Sequence, residues 1–158
     1  MTDITAEQIG SSDDTGFSSS EYNAVAKIAD LATVSLLKVK SNIEPGFEIG
    51  TKTKLIYGRK ILSCGFDSEQ SAAHVVIQYF VRGKNPRGKS FLLSADYAVV
   101  YLVDGEVAPN AAKAFAHNVG VFAAYPYFRA LAAHLAWAAN LELPPLPTIA
   151  AQPQRPKD

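Results

Sequence analysis

Apolar and polar residues alternate along the middle of the chain, and the apolar spacing changes to a helical period after about residue 109. Runs rich in Val, Ile, Leu, Thr and aromatic residues, separated by Gly, Pro and Asn, are typical of β-strands. The pattern predicts four strands, at 29–43, 53–66, 74–83 and from 89 to the Asp104-Gly105 turn signal. Because the helix comes last, we predict an α+β fold in which a four-stranded antiparallel sheet is packed by a long C-terminal helix.

The connections between these strands carry turn residues. The loop 44–52 after the first strand contains proline and glycine, and its apolar Phe47 and Ile49 are expected to be exposed. The basic segment 83–90 (GKNPRGKS) is interpreted as a solvated hairpin turn rather than an anion site. Gly58, inside the second strand, predicts a β-bulge.

The third and fourth strands are apolar on both faces. In the third strand one face carries Val75, Ile77, Tyr79 and Val81, and the other carries Val76 and Phe80. Antiparallel sheets usually leave one face in water. A single helix can cover only one face, so the pattern indicates self-association.

The last element is an unusually apolar helix. Residues 108–115 predict a short helical turn, after which Asn118 would cap a longer helix that ends near Asn140. Pro126 predicts either a kink or a helix that begins there. Between residues 124 and 140 the only charge is Arg129, and a helix with one buried face should show a charged opposite face. Its alanines would let a second helix approach closely.

Both ends of the chain are polar. Residues 1–21, rich in Ser, Asp, Thr and Gly, and residues 150–158 (AAQPQRPKD) are expected to be disordered tails on a single domain, 22–149. Residues 141–149 are rich in Pro and Leu, and they predict an extended strap after the helix.

The 158 residues carry no formal net charge, but the charge is unevenly placed. Residues 1–22 hold five acids and no base, whereas residues 38–89 hold ten bases and four acids. The neutral balance argues against nucleic acid as a partner. An acidic start unlike a secretory signal, a single cysteine and no apolar run of about 20 residues predict a cytoplasmic location without membrane insertion.

The sequence shows no catalytic or metal-binding motif. His74, His117 and His134 lie far apart without a ligand spacing, and Cys64 is interpreted as a small buried apolar residue. There is no nucleophile elbow and no phosphate-binding glycine loop. We therefore expect no cofactor, no metal and no enzymatic activity.

Three segments together resemble the SecB family of protein-export chaperones. They are Asn118-Val119-Gly120-Val121-Phe122, Tyr125-Pro126-Tyr127-Phe128-Arg129 and Leu141-Glu142-Leu143-Pro144-Pro145-Leu146-Pro147. They match a family pattern in which a helix carrying FPYAR is followed by a strap of FPxLxLxP character. The likeness extends loosely over 24–149, including a crossover loop after the first strand.

The resemblance implies an ATP-independent holdase that binds unfolded or aggregation-prone polypeptides as a homotetramer. The groove residues it implies lie on the crossover loop, the second strand, the helix and the strap: Phe47, Ile49, Leu55, Tyr57, Phe122, Tyr125, Phe128, Leu143 and Leu146. The helix would hide its second face against another subunit, through Val119, Ala130, Ala133 and Trp137.

Two departures from the family bear on its partners. Family members have a second helix after the strap and a tail that contacts the SecA motor, whereas only AAQPQRPKD occupies that place here. The family's sheet uses acids to contact SecA, but these strands carry mostly bases, which leaves a SecA contact uncertain. An antitoxin, which some family members protect from aggregation, is the other client that the resemblance implies.

Two further functions stay open from the sequence. The first is a structural oligomerisation module, which client binding would distinguish from a chaperone. The second is a small α+β enzyme of the hot-dog type. That fold places its helix early and needs an acid on it, while residues 119–140 contain no acid and come last.

Overall fold

The computed structural model describes residues 16–149, which form one sheet with helices on one of its faces. The elements in chain order are α1 (Ser19–Ile28), β1 (Ala29–Ile43), β2 (Lys54–Asp67), β3 (Ala72–Lys84), β4 (Ser90–Val103) and α2 (Pro109–Ala138). The four strands pair antiparallel in the order β1-β4-β3-β2. The predicted α+β fold is confirmed. The late helix excludes the hot-dog alternative.

The core lies between α2 and one face of the sheet. Side chains alternate between buried and partly exposed along β3 and β4, because successive residues of a strand point to opposite faces. The buried set in β3 includes Val75, Ile77, Tyr79 and Val81, as the sequence predicted. We call the opposite face of the sheet the outer face. It carries Val76 and Phe80, whose side chains are partly exposed to solvent.

Helix α2 is one continuous helix of 30 residues, about 45 Å long. The predicted break is therefore wrong: Asn118 lies inside the helix, and the helix begins with Pro109 in its first turn, where a proline costs no hydrogen bond. Pro126 removes one intrahelical bond, whose acceptor would be the Phe122 carbonyl. Pro126 and Phe122 are both exposed, so water can satisfy that carbonyl while the buried side of the helix stays intact.

The C-terminal end of α2 was predicted well. Asn140 adopts a left-handed conformation with φ of 52°, and its N–H donates to the Trp137 carbonyl at 3.1 Å. The N–H of Leu141 donates back to the Ala136 carbonyl at 2.8 Å. This pair of bonds is the Schellman motif, in which the chain reverses and an apolar residue returns to the helix. Leu141 is accordingly buried, and the strap (residues 141–149) starts at this point.

The N-terminal tail that the sequence predicted over 1–21 is wrong for its last part. Helix α1 begins at Ser19 with Ser18 as its cap, and Glu21 completes a capping box. Val25 is fully buried, and the Tyr22 ring lies 6.0 Å from that of Phe115 on α2. These contacts stabilise α1, whose polar residues made this segment read as a disordered tail in the sequence. Residues 1–15 and 150–158 lie outside the described residues.

The bulge in β2 is four residues away from the predicted position. The register with β3 shifts between Ile61 and Ser63, while Gly58 pairs regularly with Phe80. A Cβ on Gly58 would lie 2.2 Å from the Phe80 ring. The absent side chain at position 58 thus leaves room for a cross-strand aromatic ring that lies over it.

A glycine also lies where α2 crosses the sheet. A Cβ on Gly120 would lie 2.4 Å from Cγ1 of Val75, which is fully buried. Side chains of this core have no free space to move into. The absent side chain at Gly120 therefore sets how closely the helix approaches β3.

We predict that Gly120→Ala lowers the free energy of unfolding by about 1 kcal/mol, because overpacking exceeds the gain in helix propensity. In a Val75→Ala background the same change should raise it, since the obstructing methyl group is gone. Urea unfolding of the four proteins at one protein concentration measures this coupling. Additive effects of the two substitutions would contradict the close approach.

Candidate polypeptide-binding surface

The nine residues predicted to bind polypeptide differ widely in exposure. Three are buried: Phe47, Phe128 and Leu146. Five are partly buried: Ile49, Leu55, Tyr57, Tyr125 and Leu143. Phe122 is 40% exposed. The structure therefore leaves six of the nine available at a surface, and their role in binding remains a prediction.

The expected exposure of Phe47 is wrong. A tight turn with Pro45 and a positive-φ Gly46 returns the chain, and the Phe47 N–H donates to the Glu44 carbonyl at 2.9 Å. Lys89 of the β3–β4 hairpin donates to the Pro45 carbonyl. The loop is thus tied to the hairpin, and Phe47, only 7% exposed, packs against Phe91 with ring centroids 5.0 Å apart.

Phe128 belongs to an aromatic cluster in the core. Its ring stacks on Tyr79 at 5.4 Å and it is 2% exposed. The Tyr79 hydroxyl donates to the Val121 carbonyl of α2 at 2.6 Å, which satisfies a polar group that would be costly to bury alone. Burial raises the pKa of Tyr79, so this hydroxyl keeps its proton and its bond. The cluster fastens the middle of α2 to β3.

Tyr125 lies at the junction of the core, the strap and β2. Its ring is 5.6 Å from that of Tyr79, and its hydroxyl donates to the Pro147 carbonyl of the strap. Burial, followed by the neighbouring Tyr125, raises the pKa of Tyr57 on β2. Tyr57, Tyr125 and the strap therefore share one partly open region between β2 and α2. We call this region the groove.

A shallow cleft of about 320 Å³ lies on the solvent side of α2. It lies between the helix and the strap and is lined by Pro126, Arg129, Ala130, Ala133, Pro145 and Leu146. Most of its wall is apolar, and Arg129 supplies the one charge. A cleft of this shape can accept part of one large side chain, but it is too open to enclose a small ligand.

The exposed side of α2 carries an apolar stripe. Its residues follow one another at three- and four-residue intervals, which places them on one side of a helix: Phe122, Pro126, Ala130, Ala133 and Trp137. Trp137 is 78% exposed. Three members of this α2 stripe are predicted interface residues, and the fourth predicted interface residue, Val119, is partly buried.

A second uncovered apolar surface lies on β1, and the sequence analysis missed it. Leu31, Leu36 and Val39 pair with helix-facing residues of β4, yet Leu36 is 47% exposed and the other two are similarly open. Helix α2 passes mainly over β2, β3 and β4. The weak apolar–polar alternation of β1 was the only feature of the sequence that could have indicated this surface. The sequence does not show that β1 is an edge strand, because strand order is decided by pairing.

The described part of the chain also bears on metal-ligand clusters and membrane-spanning helices. Among residues 16–149, no group of three or more His, Cys, Asp or Glu side chains could hold a metal ion. Burial raises the pKa of the Cys64 thiol, which donates to the Lys113 carbonyl at 3.3 Å. Within the same residues, no helix is long and apolar enough to cross a bilayer.

Comparison with known proteins identifies the fold. No family model and no curated protein matches the sequence. Among solved structures, the chain is similar to the Mycobacterium tuberculosis Rv1957 SecB-like chaperone in complex with a ChAD peptide from the Rv1956 HigA1 antitoxin. The two share 21% identity and a TM-score of 0.70, over 85% of this chain and 99% of that one. The chain thus has the fold of a SecB-like chaperone, as the sequence resemblance implied.

We predict that Tyr79→Phe lowers the free energy of unfolding by about 0.5 to 1.5 kcal/mol at pH 8, because the bond to the Val121 carbonyl is lost. An unfolded chain releases a tyrosine proton near pH 10, while the buried Tyr79 retains it. The free energy of unfolding should therefore fall as pH rises above 10.

The Tyr79→Phe protein should lose less stability between pH 8 and pH 11 than the unmodified protein, which denaturant titrations at both pH values can measure. Tyr127→Phe, at an exposed position of α2, is the matched control and should leave stability at pH 8 unchanged. Equal alkaline losses in the Tyr79→Phe and unmodified proteins would show that Tyr79 is not held protonated by burial.

Proposed function

We propose that this protein is an ATP-independent molecular chaperone, a holdase that binds unfolded or aggregation-prone polypeptides in the cytoplasm. The observation that carries the proposal is the groove between β2 and α2, where Leu55, Tyr57 and Tyr125 stay only partly buried beside a completed core. Partly open apolar regions of this kind mark interaction sites. The likeness to a chaperone with a bound antitoxin peptide supports the same conclusion.

An extended client would bind along the groove. Partly buried residues such as Leu55, Tyr57, Tyr125 and Leu143 offer apolar contacts on a rigid base, so little ordering cost falls on the chaperone. Each aromatic or aliphatic anchor of the client would contribute roughly 1.5 to 3 kcal/mol of transfer free energy before ordering costs. Phe47 and Phe128 would support the groove from beneath instead of contacting the client.

The two uncovered apolar surfaces suit a homotetramer built as a dimer of dimers. Such an assembly needs two different self-complementary interfaces on each chain. The α2 stripe is one: Ala130 and Ala133 leave room for a partner helix, and Trp137 can insert beside it. The second interface is the unpaired edge of β1, a 15-residue strand that pairs only with β4 within the described chain. An open strand edge of this kind can pair with the same edge of a second copy.

A dedicated client such as an antitoxin suits this chain better than general export. In the resemblance, SecA is contacted through acids on the sheet. Here the exposed residues of β1, β2 and β3 include Lys38, Lys60 and Arg82, which would repel a basic partner segment. We therefore propose an antitoxin as the client of this groove.

The alternative is a structural oligomerisation module. It would use the α2 stripe and β1 in the same way but leave the groove without a client. Measurement of client binding, independently of assembly, separates the two functions.

The first test concerns assembly. We predict a native mass about four times 17.0 kDa, and we predict that Ala133→Glu lowers it, because an unpaired charge in the helix interface costs several kcal/mol. Leu36→Lys should lower it separately, at β1. Light scattering measures the mass, and the emission of Trp137, the single tryptophan, should shift to the red when the helix interface opens.

Ala26→Glu, at an exposed position of α1, is the matched control and should keep both the mass and the emission. A well-folded monomer of the unmodified protein at micromolar concentration would contradict the tetramer.

The second test concerns clients. The unmodified protein should suppress aggregation of a denatured protein diluted into buffer, without nucleotide, at a tetramer-to-client ratio above one. Tyr57→Ser combined with Leu143→Ser should weaken suppression at least severalfold while native mass is retained, because both side chains border the groove. Leu102→Ser, at an exposed position of the outer face, should have no effect.

The ChAD peptide of the mycobacterial antitoxin provides an independent probe of the same groove. Failure of the unmodified protein both to slow aggregation and to bind this peptide would favour the oligomerisation module.

A further inference from the structure

The outer face of the sheet is strongly basic toward the β3–β4 hairpin. The register of the strands places six exposed bases on this face, in adjacent rows: Lys38, Lys40, Lys54, Lys60, Arg82 and Lys84. Adjacent strands lie about 4.8 Å apart, and alternate residues of one strand about 6.8 Å apart. The six charges therefore form one patch, which we call the basic face.

The two acids at these rows are already engaged. Glu44, directly after β1, accepts a hydrogen bond from the Ser90 N–H. Asp96 accepts a hydrogen bond from the Gln78 side chain at 2.8 Å, and the register places Lys38 directly across from it on β1. Lys60 occupies the other end of this row, opposite Gln78. Asp96 and Glu44 thus offset at most two of the six bases, and the patch stays positive overall.

The basic face includes an arrangement that weakens the sheet. Lys54 and Lys84 are paired directly across β2 and β3, and like charges in that position are destabilising. Arg82 lies two residues from Lys84 on the same face and stacks over the Phe80 ring, 5.5 Å from its centroid. A bound anionic group would relieve this repulsion. The charges are thus better explained by a ligand than by the folding of the sheet.

Strand β2 connects the basic face with the groove. Leu55 and Tyr57 point toward the helix side, whereas Lys54 and Lys60 point to the outer face. Because β2 is an edge strand, a polypeptide that leaves the groove can pass over it within a few residues and reach the bases.

We propose that the basic face binds an acidic segment of the client, adjacent in sequence to the apolar segment that occupies the groove. This inference rests on the proposed holdase function and defines its preferred clients: polypeptides in which an acidic stretch follows or precedes an aromatic one. The apolar anchors give affinity, and the bases select among clients by charge.

A polypeptide fits this surface better than a nucleic acid does. Proteins that bind single strands combine a basic groove with exposed aromatic rings on which bases stack. Here Phe80, the aromatic residue of the patch, is partly covered by Arg82 on one side and lies against Gly58. The chain as a whole also carries no net charge, unlike the strongly basic domains typical of nucleic-acid binders.

Three synthetic peptides test the proposal by fluorescence anisotropy. The first joins an eight-residue Glu/Ser stretch to an aromatic, apolar stretch; the second replaces each Glu by Lys; the third is the Glu/Ser stretch alone. Each exposed ion pair changes affinity roughly 1.5- to 5-fold at low salt. We expect the first peptide to bind about tenfold more tightly than the second in 50 mM salt, and the difference to disappear in 0.5 M salt.

Lys60→Glu combined with Arg82→Glu should abolish the preference for the acidic peptide. Lys27→Glu combined with Lys113→Glu makes the same change in net charge at exposed positions of α1 and α2, outside the basic face. This control should keep the preference.

Each other outcome overturns the proposal in a distinct way. Equal binding of the first two peptides would remove the basic face from client selection and leave the holdase function standing. If neither of these two peptides bound, the proposal for the basic face would be overturned, and the aggregation assay would decide the holdase function separately. A preference unaffected by the Lys60→Glu and Arg82→Glu changes would place the acidic segment elsewhere. Tight binding of a single-stranded oligonucleotide at the basic face, with no preference among peptides, would identify a nucleic-acid site instead.

Binding of the acidic peptides only after Asp3, Glu7, Asp13 and Asp14 are neutralised would have another meaning. These four acids belong to residues 1–15, which contain no base. Such a result would assign the basic face to the chain's own N-terminal segment and overturn the proposal of a client.

Discussion

The packing of α2 across one face of the sheet is the constraint on which the rest of the molecule depends. Buried and partly exposed side chains alternate along β3 and β4, which gives the helix a continuous apolar surface to pack on. Gly120 lets the helix backbone approach Val75. The bond from the Tyr79 hydroxyl to the Val121 carbonyl then fixes its position along the strand. Because the helix crosses in this way, the strap after Leu141 reaches Tyr125, whose hydroxyl donates to the Pro147 carbonyl.

A completed core usually leaves only scattered apolar residues at the surface. Here the helix is apolar on its outer side as well, and the sheet is wider than the helix that covers it. Trp137 and Leu36 remain exposed for these two separate reasons. The excess therefore follows directly from the architecture, and it provides the surfaces from which we infer assembly and client binding.

Strand β2 separates two kinds of interaction by the alternation of its side chains. Tyr57 faces the helix side, while Lys60 faces the outer side of the same sheet. A register shift of one residue exchanges the two faces of a strand. The bulge between Ile61 and Ser63 has this effect only on the part of β2 that follows it, so Tyr57 and Lys60 keep their faces. Apolar attraction and charge selection can in this way act on one extended polypeptide.

The sequence by itself determined the order of the four strands and the long helix α2, and many of their ends, but not helix α1. The first strand was predicted at 29–43, which is where β1 lies. The Asp104-Gly105 turn signal and Asn140 marked the ends of β4 and α2, because these signals are local. Exposure was decided only by the tertiary structure. In the sequence, Phe47 and Phe128 cannot be distinguished from the other aromatic residues predicted for the groove. In the structure they are buried because they pack against aromatic residues of the sheet. Tertiary structure also decided the length of α2. Local preference predicts that the helix ends at Pro126, but packing of its buried side on the sheet offsets the cost of the lost hydrogen bond, and the helix continues.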